Sequence, residues 1–333
     1  MKLKNKIVFI FRRASVFTRA FFILKNFRAA YLLSKHQHHF RKNIKGRVQW
    51  KKGMFLLVDK NQFLSVKNFH QIQGDFNLLF EVSEFGKIRI PEEDLAVEMH
   101  AGTKPLFYFV NNHDILSVIK EIIIDKTYLF REFNDKQFVV MDVGMNVGVA
   151  SLYFASLDNV KKIFAYEPLK LNYKLAQKNF EKNTDLAGKI IVFNYGLDNT
   201  DTEMELPFAH EGDLGFSTSD FVLEKTKNKP VVKGRVEKIQ IKNIENELIS
   251  IKNKFPGYRI MLKLDCEGTE YNIIQLLSDK SLLDLVYLVV VEWHYKGPDI
   301  LVQLLIKNNF RIIHQEDHYN NYTGIIKAVK NDE

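Results

Sequence analysis

Phe138-Val-Val-Met-Asp-Val-Gly-Met-Asn-Val-Gly148 is an apolar, β-prone run that breaks into Asp142, Gly144, Asn146 and Gly148, and Val149-Ala-Ser-Leu-Tyr-Phe-Ala155 follows it. A short apolar run closed by glycines and continued by a longer apolar segment predicts strand, tight turn and helix. In a parallel α/β sheet the first such turn lies at the carboxyl edge of the strands, where ligands bind. Glycine permits positive φ there, and Asn tolerates the left-handed region better than most side chains. The segment is therefore read as a ligand loop.

Nineteen residues beyond Gly148, a second apolar run, Ile163-Phe-Ala-Tyr-Glu167-Pro168, ends in an acid. A carboxylate at the tip of the second strand is where α/β nucleotide folds hold both ribose hydroxyls. NAD and S-adenosylmethionine offer the same ribose, so the loop spacing has to separate them. A dinucleotide loop asks for G-x-G-x-x-G, whose middle glycine admits a pyrophosphate. Here the pattern is D-x-G-x-N-x-G, crowded by Met145 and Val147. S-adenosylmethionine has no pyrophosphate; its amino-acid end would place an ammonium on Asp142 and a carboxylate on loop amides. After a third strand at Lys189–Asn194, Gly196-Leu-Asp198 stands where such folds often contact adenine. The candidate cofactor-binding residues are Asp142, Gly144, Asn146, Gly148, Glu167 and Asp198.

Two further runs end in acids. Arg259-Ile-Met-Leu-Lys-Leu-Asp265 leads to Glu267 and Glu270, and the nearly all-apolar Leu285-Val-Tyr-Leu-Val-Val-Val-Glu292 leads to His294. An uninterrupted apolar run suits a strand buried on both faces, so all five groups project toward the edge that carries the glycine loop. If the loop holds S-adenosylmethionine, an acceptor that carries a proton needs positioning and a base within reach of it. His294 titrates near neutrality unaided and is the first choice. Glu267, whose pKa neighbouring acids would raise, is the second. Asp265 and Glu292 complete the candidate catalytic set. A structural alternative has Glu270 capping its helix, Asp265 ordering the loop and His294 bonding Glu292. Lys263 points inward and is expected to pair with an acid. Cys266 lacks the His or Lys spacing that activates a nucleophile. A divalent ion held by Asp265, Glu267, Glu292 and His294 is chemically allowed, but no established ligand pattern marks one, and no metal is expected. His36, His38 and His39 read as a solvated basic loop.

The four motifs, Asp142-Val-Gly-Met-Asn-Val-Gly148, Tyr166-Glu167-Pro168, Lys263-Leu-Asp-Cys-Glu-Gly-Thr-Glu270 and Val291-Glu292-Trp-His294, stand in the order and approximate spacing of FkbM-type methyltransferases. The chain resembles that family over roughly residues 130 to 300, most specifically in the D-x-E-G-x-E piece. The resemblance implies a methyltransferase fold, S-adenosylmethionine as methyl donor and an oxygen acceptor of the sugar or polyketide kind. Met145, Cys266 and Thr269 depart from or vary within the pattern.

Charge divides the chain. Residues 1 to 58 hold nine Lys and six Arg with no acid, a net charge of +15, while the remaining 275 residues carry 33 basic and 40 acidic groups, or −7. Apolar runs in this arm, Ile7–Phe11 and Phe21–Leu24, are cut by Arg12, Arg13 and Arg19 and fall far short of a membrane span or a signal peptide. Such an arm suits anionic lipid or nucleic acid, or docking on an acidic domain of its own chain. The single cysteine forbids an internal disulfide and suits a reducing compartment.

Periodicity predicts an amphipathic helix from Val16 to about Ser34. Residues 54 to 98, including Phe76-Asn-Leu-Leu-Phe80, predict a small antiparallel sheet. Ile115, Ile119 and Ile122 share a helix face leading toward Tyr128 and Phe130. A helix with Leu169, Tyr173, Ala176 and Phe180 inward turns Lys170, Lys174 and Lys178 to water. Thr200 to Lys233, with Phe208, His210, Asp213, Gly215 and Ser217, reads as a lid or substrate wall. Val236, Ile239 and Ile241 suggest an edge strand on Met204–Leu206. Two closing strands, Phe310–His314 and Gly324–Val329, have no helix between them and so form a hairpin. The expected architecture is a doubly wound, Rossmann-like α/β sheet of about seven strands with the last strand antiparallel, preceded by a helical and β extension. Its expected divisions are a basic arm at 1–58, a β-rich extension at 59–130 and the cofactor domain at 131–333.

The function expected is S-adenosylmethionine-dependent O-methylation, with a sugar hydroxyl of a glycan or glycolipid as acceptor, in the cytoplasm and at the inner face of a membrane that the arm contacts. The alternatives are a nicotinamide oxidoreductase, opposed by the loop spacing, and a non-catalytic membrane- or nucleic-acid-binding scaffold, opposed by the intact acids. A nucleic-acid partner is further disfavoured by the lack of an N-P-P-Y-like base-amine loop.

Overall fold

The computed structural model describes residues 2–35, 44–91, 94–101, 104–128, 136–207, 236–317 and 322–331. The chain forms two compact units, Met1–Lys126 and Thr127–Glu333, so the expected arm and most of the expected extension fall together in the first. His36, His38, His39, Phe130 and the 208–233 part of the expected lid lie outside the described residues.

The first unit contains α1 (Lys2–Leu24), α2 (Phe27–Lys35), β1 (Val48–Lys51), β2 (Met54–Leu57), β3 (Gln62–Leu64), α3 (Val66–Gln71), α4 (Phe76–Phe85), β4 (Gly86–Arg89), β5 (Ala96–Ala101), β6 (Lys104–Phe109) and α5 (His113–Ile119). The single helix expected from Val16 to Ser34 is two. Lys25 adopts a left-handed φ of 49°, and Asn26 Oδ1 accepts the Ala29 N–H (3.0 Å), capping the first turn of α2. One small sheet becomes two antiparallel three-stranded sheets, β1-β2-β3 and β4-β5-β6. The segment read as a strand at Phe76–Phe80 is α4. Asp75 caps it by accepting the Leu78 N–H (3.0 Å), and Phe76, Leu79 and Phe80 bury one face at helical spacing. Ile115 and Ile119 of α5 and Ile122 of the π-helical turn after it are buried as expected.

The second unit begins with β7 (Phe138–Val143), α6 (Val149–Ser156), β8 (Val160–Tyr166), α7 (Lys170–Lys182), α8 (Thr184–Ala187) and β9 (Ile190–Phe193). It continues with β10 (Gly196–Asp198), β11 (Thr202–Pro207), β12 (Val236–Asn243), α9 (Ile244–Lys254), β13 (Arg259–Leu264), α10 (Glu270–Asp279), β14 (Val286–His294), α11 (Asp299–Lys307), β15 (Phe310–Asp317) and β16 (Thr323–Lys330). Seven strands form the main sheet in the order β15-β16-β14-β13-β7-β8-β9. β7 pairs parallel with both β8 and β13, while β16 runs antiparallel between β14 and β15, so the last strand is the antiparallel one. All six residues of β7 are buried, which explains why its sequence is an apolar run without alternation. Removing each such Val or Met side chain from water stabilises the fold by about 1.5–3 kcal/mol. β10, β12 and β11 form a separate three-stranded sheet in which Met204 lies opposite Ile239, the pairing read from the sequence.

The chain starts this sheet in the middle, winds outward through β8 and β9, and returns to the other side of β7 as β13 and β14. That reversal puts the topological switch point between β7 and β13. Their carboxyl ends are where this fold opens a ligand crevice.

Candidate functional site at the sheet switch point

The turn after β7 closes by three left-handed residues, Gly144 (φ 77°), Asn146 (φ 53°) and Gly148 (φ 82°). Two positions require glycine. A Cβ on Gly144 would stand 1.8 Å from the Asp265 carbonyl oxygen, and one on Gly148 would stand 2.6 Å from the Phe180 ring. The amides of Gly144 and Met145 both donate to the Tyr166 carbonyl (3.0 Å each), which fixes the loop to the end of β8. A cleft of about 620 Å³, partly open to solvent, lies against this loop. Its walls are Gly144 and Asn146, Glu167 to Leu169, Gly196 and Leu197, Ile241, and the Asp265–Thr269 turn.

Glu167 is buried, and its two carboxylate oxygens accept the Asn146 N–H (3.0 Å) and the Leu169 N–H (2.9 Å). Burial raises its pKa to about 7 against the pull of those two amides. Each carboxylate oxygen accepts more than one bond, so the residue ties the loop in place and retains acceptor capacity on the cleft. Asn146 supplies the complementary signal: its side-chain oxygen is buried and has no hydrogen-bond partner. An orphaned acceptor in a cleft wall costs about 1–3 kcal/mol unless a ligand donates to it.

Asp142 departs from its expected role. It is fully buried, with Oδ1 3.0 Å from Lys263 Nζ and Oδ2 accepting the Ser151 hydroxyl (2.6 Å). Asp142 and Lys263 are direct neighbours across β7 and β13, and Lys263 Nζ also donates to the Gly144 carbonyl (2.7 Å). Burial opposes the ammonium charge, yet Asp142 and Asp265 together hold Lys263 above its ordinary range. Asp142 thus underlies the loop, while its Oδ1 is paired in charge with Lys263 but accepts no hydrogen bond. Ser151, on the first turns of α6, is the partner that sequence reasoning missed; nothing in a serine nine residues downstream announces that contact. Asp198 accepts the Asn199 N–H (2.7 Å) and meets Asn272 at 3.5 Å. Gly196 and Leu197 form that part of the wall instead.

The acidic group assembles as expected but with different internal roles. The register sets Leu264 opposite Val291, so Asp265 stands beside Glu292, and His294 follows two residues along the same strand face. Glu270, 0% exposed, is the hub: Oε2 accepts the Gly268 N–H (2.8 Å), and Oε1 accepts the His294 N–H (2.8 Å) and lies 3.3 Å from His294 Nδ1. His294 therefore bonds Glu270, with Glu292 farther off at 3.9 Å. Although burial disfavours the charged ring, Glu270 and the nearby Glu267 and Asp265 raise its pKa to about 10. His294 would therefore act as a base only after Nε2 gives up a proton. Glu267 is the other candidate base. It sits in the cleft wall at φ 55°, its Oε2 accepts the Tyr295 hydroxyl (3.1 Å), and its pKa is raised by burial against the opposing His294 charge. Burial and Glu270 push the Cys266 thiol well up, consistent with a wall residue and not a nucleophile.

The residues present fit S-adenosylmethionine. Its sulfonium and ammonium are cationic, and the cleft wall carries the carboxylates of Glu167, Asp265 and Glu267, with no basic side chain among the described lining residues. The same wall would repel a pyrophosphate. Glu167 would hold the ribose hydroxyls, Asn146 would accept from a ligand donor, and Leu197 and Ile241 would flank the base. The donor, when bound, supplies an activated methyl; the chain supplies its orientation and removal of the acceptor's proton.

Comparison with known proteins agrees. The Methyltransferase FkbM domain profile matches residues 142–312. "Methyltransferase 1" of Beauveria bassiana is 29% identical over 182 residues, covering 52% of this chain and 71% of its own. "Methyltransferase sdnD" of Sordaria araneosa is 27% identical over 225 residues, covering 61% and 84%. A crystal structure of methyltransferase FkbM from Methylobacillus flagellatus is 12% identical with a TM-score of 0.38, over 80% of this chain and 62% of that one. With just over half of its length under the one profile, the chain belongs to the FkbM methyltransferase family, and its activity is methyl transfer from S-adenosylmethionine.

Proposed function

We propose that the acceptor is a sugar hydroxyl of a glycan or glycolipid, as in polysaccharide biosynthesis, and that Glu267 takes its proton. The observation that carries this reading is Glu267 itself. A carboxylate with a raised pKa stands in the cleft wall with a tyrosine hydroxyl holding one oxygen, the arrangement a neutral oxygen nucleophile needs and a thiolate does not. Screening glycan and glycolipid acceptors with labelled donor tests it: methyl ester-free, alkali-stable label on a hydroxyl supports the reading, and label on nitrogen or sulfur of a competing acceptor panel overturns it.

The basic arm supports a cytoplasmic enzyme held at the inner face of a membrane. No helix among the described residues is long and apolar enough to cross one. Phe22 and Phe27 are 74% and 69% exposed, Phe21 and Tyr31 are also exposed, and Arg12, Arg19, Lys25 and Arg28 are exposed around them. Each Lys or Arg near an anionic surface contributes about 1 kcal/mol, and exposed aromatic rings add interfacial contact. Flotation with phosphatidylserine vesicles should carry the protein upward at low salt and lose it at high salt. Replacing Phe22 and Phe27 by Ser should weaken flotation at constant charge. Equal flotation on neutral vesicles would remove the electrostatic basis of this placement.

A further inference from the structure

We infer that Asp265, Glu292 and His294 form a binding site for a divalent cation next to the donor cleft. One ligand atom from each residue lies within 4.8 Å of the others. A cluster of acids alone would not distinguish such a site from a patch of repulsion. The histidine does. Its side chain is 5% exposed, yet Nε2 has no partner at hydrogen-bond distance, standing 4.0 Å from Glu267 and 3.9 Å from Glu292. Those separations are too long for hydrogen bonds and near the roughly 3–4 Å expected between ligands that share one ion at about 2.1 Å.

The opposite side of the ring is built for the same purpose. Nδ1 faces Glu270 Oε1 at 3.3 Å, and a carboxylate accepts only, so Nδ1 keeps its proton and Nε2, giving up its own as the ion binds, is the atom that coordinates. Glu270 is in turn fixed by the Gly268 and His294 amides. A carboxylate that orients a histidine from behind is the usual support of a metal-binding imidazole. Lys263 takes up part of the negative charge, at 3.0 Å from Asp142 and 3.3 Å from Asp265 Oδ2. Asp265 keeps a second oxygen, and Glu267, Glu270 and Glu292 remain around a single ring.

One imidazole with two carboxylates suits a borderline first-row ion such as Mn²⁺ or Zn²⁺ better than Mg²⁺, which favours oxygen and its own water. Asp265 belongs to both the cation group and the cleft wall, so an acceptor hydroxyl reaching the donor's methyl would pass beside the ion. There the ion would lower the hydroxyl's pKa, with Glu267 receiving the proton. This role rests on the methyltransferase reading, whereas the site itself does not.

The test uses the full chain stripped with chelator and then dialysed. Titration with Mn²⁺, followed by loss of the free-ion paramagnetic signal, should give one ion per chain, displaced by Zn²⁺. Asp265→Asn and Glu292→Gln should each weaken binding by about 10- to 100-fold, with circular dichroism and melting showing that the variants are folded. His294→Gln, which removes the imidazole ligand, should do the same. Wild-type protein in chelator should still bind S-adenosylhomocysteine by calorimetry. A folded wild type that binds the homocysteine product but neither Mn²⁺ nor Zn²⁺, or folded variants that bind Mn²⁺ as wild type does, overturns the cation site alone. Failure to bind either class of ligand overturns the donor assignment as well.

Discussion

Two sets of charged groups stand one strand register apart at the carboxyl edge of the main sheet, and they are built oppositely. Around Asp142 the charges are sealed from solvent: Lys263 lies 3.0 Å from one carboxylate oxygen, Ser151 donates to the other, and the ammonium reaches on to the Gly144 carbonyl. Around Asp265 they are not. His294 Nε2 lacks a hydrogen-bond partner, and Glu267 and Asp265 open onto the cleft. An acid at a strand end is therefore not functional by position alone. What separates foundation from chemistry is whether the group is sealed inside, as Asp142 is, or lines the cleft, as Asp265 and Glu267 do.

The sharpest way to break this comparison is to remove one half of the buried pair. Lys263→Met leaves Asp142 buried without its ion partner and should destabilise the second unit by about 3–5 kcal/mol. Asp142→Asn combined with Lys263→Met should recover a large part of that loss, because neither charge is stranded. Denaturant unfolding of both variants measures it; equal stability of Lys263→Met and wild type would mean that the pair is not the foundation described.

A smaller effect is expected at Glu167. Glu167→Gln removes a charged acceptor of ribose hydroxyls and should weaken donor binding by about tenfold or more. The sign with pH follows from its raised pKa of about 7. Relative to an unfolded carboxyl near 4.5, its contribution to folding is fully present below about 4.5 and is lost as pH rises through about 7. Donor affinity runs the other way, rising through the same interval as the cleft gains a negative charge. Calorimetry at pH 6 and pH 8 should show that rise in wild type and its absence in Glu167→Gln; a pH-independent wild type would remove Glu167 as the titrating contact. The smallest effect belongs to Asp198→Asn, which touches Asn199 and Asn272 and should change donor affinity by no more than about 0.5 kcal/mol. A tenfold loss there would return Asp198 to the ligand.

Much of this was legible in the residues. β7 and β14, with β8 from Ile163 and β13 from Ile260, are buried on both faces and so appear as mostly apolar runs, and the missing helix before β16 announces the closing hairpin. The glycine loop and the acidic group follow because strand ends of a parallel sheet share one edge. Short amphipathic pieces were less readable. Phe76, Leu79 and Phe80 satisfy helical spacing inside a run brief enough to pass for a strand, and it is Asp75 that decides by capping. The roles of Asp142, Glu270 and His294 were hidden for a different reason: they depend on which residues the sheet register and turns bring together, as Asp142 beside Lys263 shows. Sequence places an acid at the edge, whereas the partners across the strands determine whether it is occupied.

The division between a sealed foundation and an open chemical group is tested most directly at Glu267, on the open side. Glu267→Gln should lower turnover on a verified acceptor by about 10²- to 10⁴-fold, the usual worth of a general base, while the dissociation constant of S-adenosylhomocysteine stays within about threefold of wild type. Wild-type turnover in the folded variant, or a loss explained entirely by weakened donor binding, would contradict the account.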